Sequence, residues 1–533
     1  MTSELKDLGK VRPRRGGKST FLLAWALLSA LTIAWSLATP ISASPDEPAH
    51  TVKAASVVRG EFIGASSSHG NIVDVPKYVA WTNLETCYAR APQVTASCIP
   101  PVPGDEFQTV ASTTSAGLYN PVYYLLVGWP SLIFQSNAGI YAMRAISAVL
   151  TSLFGAWSIW LVSYWRRPKL PLLAVSIVTT PMLLFLAGTV NPNAVEVTGT
   201  MAVLVSALGL VRGEHGPSRY LQLAVLTVSA TVAGNSRGLS LVWVAAALGI
   251  ALIFANWSTV RALARQRAVL ISVGIVALSS IFALAWVVAT SSLTTAVTYH
   301  TAVKDFPGVG SSPVQGFLTT LSRTIEYTNQ LIGIFGWMDT PSPAEVLTTW
   351  IVAISALVFA GLCVARGRAL VALVVALSLF ILCPPILQGA YVTAGGYIWQ
   401  GRYNLPLFAC LVIIAAVATS TTELVPSRRI AARGAVMGLS LLAAAQVFAF
   451  VFVLKRYGSG IGSTWGTFLT SSQWQAPGTN VGLIALFATL VAASSVCLYR
   501  LAMSRPAKDY LAQTPISSDG PPDVTARRVA THR

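Results

Sequence analysis

The sequence predicts an all-α polytopic membrane protein with about twelve transmembrane helices, and three observations support this prediction. Of the 533 residues, 54% are hydrophobic and only 10% are charged, whereas a soluble globular protein carries roughly 25% charged residues. The apolar residues form long blocks, several of which exceed the roughly 20 residues that a helix needs to span a bilayer. Short basic clusters separate these blocks. Such a sequence excludes a soluble protein of this length.

The basic clusters decide how the blocks are oriented. The formal net charge is +17, but Lys and Arg do not gather in one patch, so we expect no nucleic-acid partner. Lys and Arg are enriched in the cytoplasmic connections of membrane proteins, and placing the basic clusters in the cytoplasm gives a consistent alternation. The sequence therefore predicts a multi-pass protein of the plasma (inner) membrane with both termini in the cytoplasm.

Twelve apolar blocks define a transmembrane domain over residues 20–502. Spanning helices are predicted at about 20–39, 140–164, 170–189, 193–211, 220–234, 238–256 and 268–290, then one ending at Arg366, one at 370–388, one ending before Arg428, and two at 435–454 and 480–502. The first block is longer than the roughly 7–15-residue core of a signal peptide, so we expect an uncleaved helix.

The connections complete the predicted domain organisation. A cytoplasmic basic N-terminus covers residues 1–19, and the outer loops lie at about 40–139, 291–344, 389–403 and 455–479. The basic, proline-containing tail over 503–533 is predicted to be cytoplasmic and disordered.

Two segments of the first outer loop are predicted to lie on the membrane surface. Tyr119–Phe134 is apolar and aromatic, but it is short for a crossing and Pro121 and Pro130 interrupt it. Counting it as a span would also move the cluster around Arg166 to the outer side, so we interpret it as an interfacial segment. Ala49–Phe62 has apolar residues at helical spacing with charged residues among them, which is typical of an amphipathic interfacial helix.

The first candidate for chemistry is the acidic pair Asp46-Glu47 with the nearby His50. These residues lie in Pro45–His50, a few positions beyond the first helix. Ionisable side chains are costly next to lipid unless they are solvated or used. A carboxylate here could deprotonate an acceptor hydroxyl while the other reactant stays anchored in the bilayer. The alternative is that Asp46 only caps a helix that starts at Glu47-Pro48.

The second candidate is an arginine between aromatic residues, in Trp399–Pro406 at the outer start of the tenth helix. Gln400, Arg402 and Tyr403 are its candidate binding residues, and an arginine can bind a phosphate through two parallel hydrogen bonds. The alternative is an interfacial aromatic belt with a snorkelling arginine.

Four further residues are weaker candidates for substrate or phosphate binding. Arg237 lies in a very short connection and Arg144 in the first turns of the second helix, so each either binds an anion or snorkels towards water. Trp337 and Asp339 belong to a segment with Gly336 and flanking prolines. That segment predicts a turn or a re-entrant element, and for it a structural role is the favoured interpretation.

The cysteines indicate one disulfide and no metal site. Cys87 and Cys98 lie in the first outer loop, where disulfides persist, so we predict a bridge between them; the alternative is two free thiols. The other four cysteines lie in apolar blocks and are most simply packing residues. No Cys-x-x-Cys spacing occurs.

An ordered set of motifs resembles the DUF2142 family of predicted membrane proteins. The motifs run in order over nearly the whole chain, and they are Pro45–His50, Gly60-Glu61, Asn120–Tyr124, Phe335–Asp339 and Gln400–Pro406. The ordered set is more specific than any single motif. That family in turn resembles the GT-C glycosyltransferases, some of which carry an Asp-Glu pair in the first outer loop and two interfacial helices after the first span. Asn120 departs from the pattern, since a His or Lys is commoner there.

The resemblance implies a function and roles for residues. It implies transfer of a sugar, with inversion, from a polyprenyl-phosphate donor to an acceptor hydroxyl of an envelope glycan or a lipid. Asp46 would be the general base and Glu47 would support it, while Arg402, Arg237 and Arg144 would face the leaving phosphate. No cofactor is expected, and a need for a divalent metal stays open. The alternatives are a flippase or transporter of lipid-linked glycans and a non-catalytic scaffold of an envelope-synthesis complex.

Overall fold

The protein is almost entirely helical. The computed structural model describes residues 17–68, 70–84, 86–102, 108–134, 136–214, 216, 218–293, 306–421 and 427–504. The first half contains α1 (Lys18–Ala38), α2 (Glu47–Val57), α3 (Lys77–Ala80), α4 (Val122–Gly128), α5 (Pro130–Ile133), α6 (Asn137–Val162), α7 (Lys169–Val178), α8 (Pro181–Ala187), α9 (Pro192–Val211), α10 (Arg219–Gly234), α11 (Ser240–Leu252), α12 (Trp257–Ala264) and α13 (Arg267–Thr290).

The second half adds eight described helices. They are α14 (Pro313–Ser322), α15 (Thr324–Gly333), α16 (Ala344–Val364), α17 (Gly367–Gly395), α18 (Leu405–Thr419), α19 (Arg428–Ser459), α20 (Trp465–Thr470) and α21 (Asn480–Met503). A 3-10 helix, Gly401–Asn404, leads directly into α18. Most of the predicted N-terminal segment (residues 1–16) and nearly all of the predicted tail (505–533) lie outside the described residues.

The polytopic helical fold is confirmed, but the described helices do not all have the length of a span. Nine are long and apolar enough to cross a membrane, with α18 counted together with its 3-10 turn: α1, α6, α9, α13, α16, α17, α18, α19 and α21. The predicted helix at 170–189 is instead two helices, α7 and α8, bent by 67°. Thr180 caps α8 and Pro181 occupies its first turn, so the helix restarts there. The other two predicted spans, α10 and α11, have 16 and 13 residues.

The helices form a bundle with two helices at its centre. Among the spans, α9 and α18 are almost completely buried, while α13, α16 and α21 have few buried residues. The exposed surface of these peripheral helices is apolar, which suits contact with lipid chains. Trp35, at the end of α1, packs against Phe185, Phe335, Phe450 and Phe487. This aromatic cluster fixes the end of α1 from which the Asp46-Glu47 pair follows.

A small antiparallel sheet, which the sequence did not predict, covers one end of the bundle. Its strands are β1 (Ala65–Ser67), β2 (Gly70–Pro76) and β3 (Thr109–Thr114), in the order β1-β2-β3. Val73 and Val75 of β2 are buried, while Ile72 and Asp74 are exposed, as expected for a half-buried strand. Two two-residue strands, β4 (Ile334–Phe335) and β5 (Thr340–Pro341), form a second antiparallel pair.

The helix predicted over 49–62 is present, but it is shorter than predicted and buried rather than amphipathic. The structure has α2 at Glu47–Val57, and every residue of it except Ala49 is buried, including Lys53. The sheet and α4 pack on this helix, and the Lys53 ammonium donates to the carbonyls of Phe62 and Gly117. Because backbone acceptors replace water around its charge, the lysine can lie inside the fold.

The segment predicted to lie on the membrane surface, 119–134, forms the two short helices α4 and α5. With seven and four residues, neither has the length of a span. Gly128 lets α4 approach α2 closely, since a Cβ there would lie 2.2 Å from the Ala54 carbonyl oxygen. The opposite surface of the pair is apolar and exposed, at Leu125, Leu126, Trp129, Leu132, Ile133 and Phe134.

Candidate functional site

Residues 39–46, here called the Asp46 segment, connect α1 to α2. Side chains from distant parts of the sequence hold this segment by hydrogen bonds. Each carbonyl from Thr39 to Pro45 except that of Ser44 accepts a hydrogen bond from a side chain. The donors are Arg144 to Thr39 and Pro40 (2.7 and 2.8 Å), Tyr88 to Ile41, Trp337 to Ser42 (3.0 Å), Tyr457 to Ala43 (3.4 Å) and Asn191 to Pro45 (3.3 Å). The Ser44 carbonyl accepts from the backbone N–H of Glu47. The segment therefore has its conformation imposed by its surroundings.

Two residues of this segment adopt a backbone conformation that side chains disfavour. Ser42 has φ +68° and Asp46 has φ +64°, in the left-handed region that only a few per cent of non-glycine residues occupy. Such a conformation costs on the order of 1–3 kcal/mol and persists only where the surroundings impose it. The hydrogen bonds to the Asp46 segment provide that constraint, and residues held in this way cluster at functional sites.

Asp46 does not cap α2. It precedes the helix, but its side chain accepts no capping hydrogen bond from the first turn. Its Oδ2 instead accepts a hydrogen bond from Arg402 Nη2, and Oδ1 has no hydrogen-bond donor among the described residues. About 44% of the side-chain surface remains accessible. The carboxylate is therefore fixed by one cation and open on its other side.

Arg402 is buried with two donors unused. Only 4% of the side chain is exposed, and neither Nε nor Nη1 has an acceptor among the described residues. The preceding Gly401 sets the position of Arg402. The Gly401 N–H donates to Gln330 Oε1, and a Cβ on Gly401 would lie 2.1 Å from the Tyr327 carbonyl oxygen. An unpaired buried donor is costly, and more so when it is charged. The arrangement fits an anionic group bound at Nε or at Nη1.

Arg237 belongs to the same site, because it contacts the ring of Tyr403. Its guanidinium carbon is 4.6 Å from the Tyr403 ring centroid and that of Arg402 is 5.2 Å away, so one ring holds both cations by cation–π contact. Arg237 Nη1 donates to Asn193 Oδ1 at the start of α9, and the Tyr119 ring lies 5.9 Å from its guanidinium carbon. Two positive charges thus flank one tyrosine beside Asp46.

The charges around Asp46 keep its carboxyl ionised. Burial raises the pKa of Asp46, but the positive charges of Arg402 and Arg237 outweigh burial, and the pKa lies below its usual value. Burial, together with the same two arginines, lowers the pKa of His50 to about 3 against the opposing effect of Asp46. His50 is therefore neutral near pH 7, and its Nδ1 lies 2.8 Å from the Tyr124 hydroxyl. It can orient a hydroxyl by hydrogen bonding but it adds no positive charge for a phosphate.

Glu47 and Arg144 form a buried ion pair that leaves neither free for a substrate. Arg144 donates to both carboxylate oxygens at 2.6 Å, and the side chains are 1% and 0% exposed. Its remaining donors bind the carbonyls of Ser36, Thr39 and Pro40, so all five are used. Glu47 Oε1 also accepts from the Val190 N–H (3.2 Å). The pair ties α1, α6 and the start of α2 together, and Arg144 has no donor left for a phosphate.

Trp337 and Asp339 lie beside the Asp46 segment, in a second polar cluster. Asp339 Oδ2 accepts from Arg456 Nη2 at 3.2 Å, and both side chains are buried. Arg456 also donates to Thr340 Oγ1 and to the carbonyls of a disulfide loop between Cys87 and Cys98. Trp337 donates to Ser42. These two predicted substrate ligands thus contact protein groups in this structure.

The structure brings together five predicted residues, Asp46, His50, Arg237, Arg402 and Tyr403. Gln400 lies next to them with its Oε1 buried and without a donor among the described residues. Sequence reasoning missed the partners Tyr119, Asn193 and Arg456. One signal for Arg456 was present, because Lys455-Arg456 lies at the predicted outer end of a helix, against the usual distribution of basic residues. Across the described parts of the chain, no three His, Cys, Asp or Glu side chains converge as metal ligands would.

Fold and site together define a polytopic helical membrane protein with an acidic and basic cluster at one end of its bundle. The chain belongs to the DUF2142 family of predicted membrane proteins, whose family model matches residues 29–411, and the resemblance drawn from the motifs is confirmed. No curated protein matches the chain. One similar solved structure is ArnT from Cupriavidus metallidurans bound to undecaprenyl phosphate, with 13% identity over 91% of this chain and 76% of that one and a TM-score of 0.43.

Proposed function

We propose that this protein is a membrane glycosyltransferase that moves a sugar from a polyprenyl-phosphate donor to an acceptor hydroxyl, with inversion. The acceptor is an envelope glycan or a lipid, and the Asp46 end of the bundle faces the outer side of the plasma membrane. The observation that carries the proposal is Arg402, a buried cation with two unused donors next to an accessible carboxylate. The motif resemblance to the GT-C glycosyltransferases supports the same reaction.

Arg402 is the residue that would bind the donor phosphate. Its Nε and Nη1 lie on different sides of the planar guanidinium, and each can donate a hydrogen bond to an oxygen of a phosphate group. Arg237 adds a second positive charge across the Tyr403 ring. Cations fixed in advance where negative charge develops are the largest source of catalysis at such sites. The leaving polyprenyl phosphate gains negative charge as the sugar departs, so both arginines favour that step.

Asp46 would be the general base. The open Oδ1 removes the proton from the acceptor hydroxyl while the acceptor oxygen forms a bond to the anomeric carbon of the sugar. The bond between that carbon and the phosphate oxygen breaks, and its electron pair stays with the phosphate near Arg402. Attack opposite the leaving group inverts the anomeric centre. Neutral His50, bound to Tyr124 at 2.8 Å, would orient the acceptor or donor hydroxyl.

The experiment that tests the proposal measures transfer from labelled polyprenyl-phosphate sugars by membranes that contain the protein. We expect Asp46→Ala and Asp46→Asn to lower transfer by at least a hundredfold, within the range that general-base catalysis contributes. Asp74→Asn is the matched control, because Asp74 is an exposed acid of β2, on the same side of the protein. Wild-type transfer by Asp46→Ala would overturn the general-base assignment.

A further inference from the structure

The loop between Cys87 and Cys98 contacts the Asp46 segment directly. The disulfide joins the two cysteines, whose Cα atoms are 6.3 Å apart. Inside the loop, the buried Tyr88 donates its hydroxyl proton to the Ile41 carbonyl, five residues before Asp46. The loop therefore holds one of the carbonyls that fix the backbone of the Asp46 segment.

A single buried arginine fixes the loop to the end of α19. Arg456 donates to the carbonyls of Tyr88 (2.8 Å), Ala91 (3.3 Å) and Val94 (2.7 Å). Its own charge is balanced by Asp339 at 3.2 Å. Three carbonyls of the twelve-residue loop 87–98 converge on one guanidinium, so Arg456 and the disulfide together hold the shape of the loop.

The next residue of α19 continues the same connection. Tyr457 donates to the Ala43 carbonyl at 3.4 Å, and its ring packs edge-on against that of Tyr88, with centroids 5.5 Å apart. Two packed tyrosines thus reach the carbonyls of Ile41 and Ala43, on either side of Ser42 with its left-handed backbone. The two hydroxyls oppose relaxation of the strained segment that ends at Asp46.

We infer that the disulfide loop 87–98 is a positioning device for Asp46, acting through the Tyr88 and Tyr457 hydroxyls, and that opening the disulfide disables the site. Tyr88 and Tyr457 are positioning residues, since neither contacts the Asp46 carboxylate. The effect on catalysis rests on the proposed transfer reaction. The effect on the backbone of the Asp46 segment does not.

The test uses hydrogen–deuterium exchange of the full-length protein in nanodiscs, which needs no substrate. Tyr88→Phe removes one hydroxyl, and we expect faster exchange in a peptide that covers 39–50, whose amides at Ala43, Glu47 and His50 form local hydrogen bonds. The double variant Cys87→Ser/Cys98→Ser should give a larger increase. The matched control is Tyr78→Phe, because Tyr78 is equally buried but its hydroxyl binds the carbonyls of Ser131 and Phe134. Unchanged exchange at 39–50 in both Tyr88→Phe and the double variant would overturn the inference.

Transfer kinetics then separate positioning from a merely structural role. We expect Tyr88→Phe to lower kcat about tenfold, because a small displacement of a catalytic group is costly, while KM for the donor stays unchanged since Arg402 is untouched. An equal fall with Tyr78→Phe, or a change in KM alone, would contradict positioning of Asp46. If the wild type transfers no sugar, the exchange result still stands and the proposed function fails by itself.

Discussion

At the scale of single residues, two adjacent carboxylates have opposite surroundings. Glu47 is fully buried and bound on both oxygens by Arg144, whereas Asp46 keeps 44% of its side-chain surface accessible and one oxygen unbound. In the sequence, the adjacent Asp46 and Glu47 were interpreted together as one catalytic pair. In the structure Glu47 holds the segment in place, and under the proposed function Asp46 does the chemistry.

This division predicts different consequences for the two acids. Removing one partner of a buried ion pair leaves an uncompensated charge and costs about 3–5 kcal/mol. We therefore expect Glu47→Ala to lower the melting temperature of the detergent-solubilised protein strongly. Glu326→Ala is the control, since Glu326 is half-exposed and lies 3.9 Å from Arg323, a kind of pair worth little. A Glu47→Ala protein as stable as the Glu326→Ala protein would contradict the structural role.

The Arg402–Asp46 contact predicts a shift in the pH dependence of transfer. Arg402 helps to hold the pKa of Asp46 below its usual value, against burial. Transfer needs the ionised carboxylate, so activity falls as the pH drops through that pKa. In Arg402→Gln the opposing effect of burial prevails, and the acidic limb of kcat should move to higher pH, with a higher KM for the donor. An unmoved acidic limb would show that another group limits the rate.

At the scale of elements, the hydrophobic pattern predicted the long helices and missed the short ones. Blocks such as 193–211 and 480–502 agree closely with α9 and α21, because a span needs a continuous apolar run. The bend between α7 and α8 was not evident, since both halves are apolar and only the Thr180-Pro181 pair marks the break. The sheet β1-β2-β3 was missed because its strands are short and mostly polar.

The helices α4 and α5 give a prediction about topology. Their exposed apolar surface and their lengths suit a position on a membrane surface, and we propose that this is the outer surface. In a background without the four unpaired cysteines, we expect Ser115→Cys, at an exposed residue of the turn before α4, to react with an impermeant thiol reagent added outside. Trp257→Cys in α12, 71% exposed in the wild type, should react only after the cytoplasmic side is opened. Labelling of Ser115→Cys from the cytoplasmic side alone would reverse this placement.

At the scale of the whole molecule, the site is assembled from four distant parts of the chain. Asp46 follows α1, Asn193 begins α9, Arg237 joins α10 to α11, and Arg402 precedes α18. The sequence predicted Asp46, Arg237 and Arg402 separately, because charged residues near helix ends are conspicuous in an apolar chain. It could not predict that one tyrosine ring would bring the two arginines together, since that depends on how the helices pack.

The bundle also explains why this end of the molecule can hold strained backbone. The central helices α9 and α18 are almost completely buried, and both begin at the site. Ends of well-packed helices give catalytic groups a rigid support. We therefore attribute the fixed position of the site residues to the packing of these two helices in the bundle core.

The central claim is that Asp46 removes a proton while Arg402 binds the donor phosphate. The most direct measurement is single-turnover transfer by Asp46→Asn at a donor concentration that saturates binding, with donor affinity measured on the same sample. We predict a donor Kd within a few-fold of the wild type and a transfer rate at least a hundredfold lower. A wild-type transfer rate from Asp46→Asn with its donor bound would contradict the account.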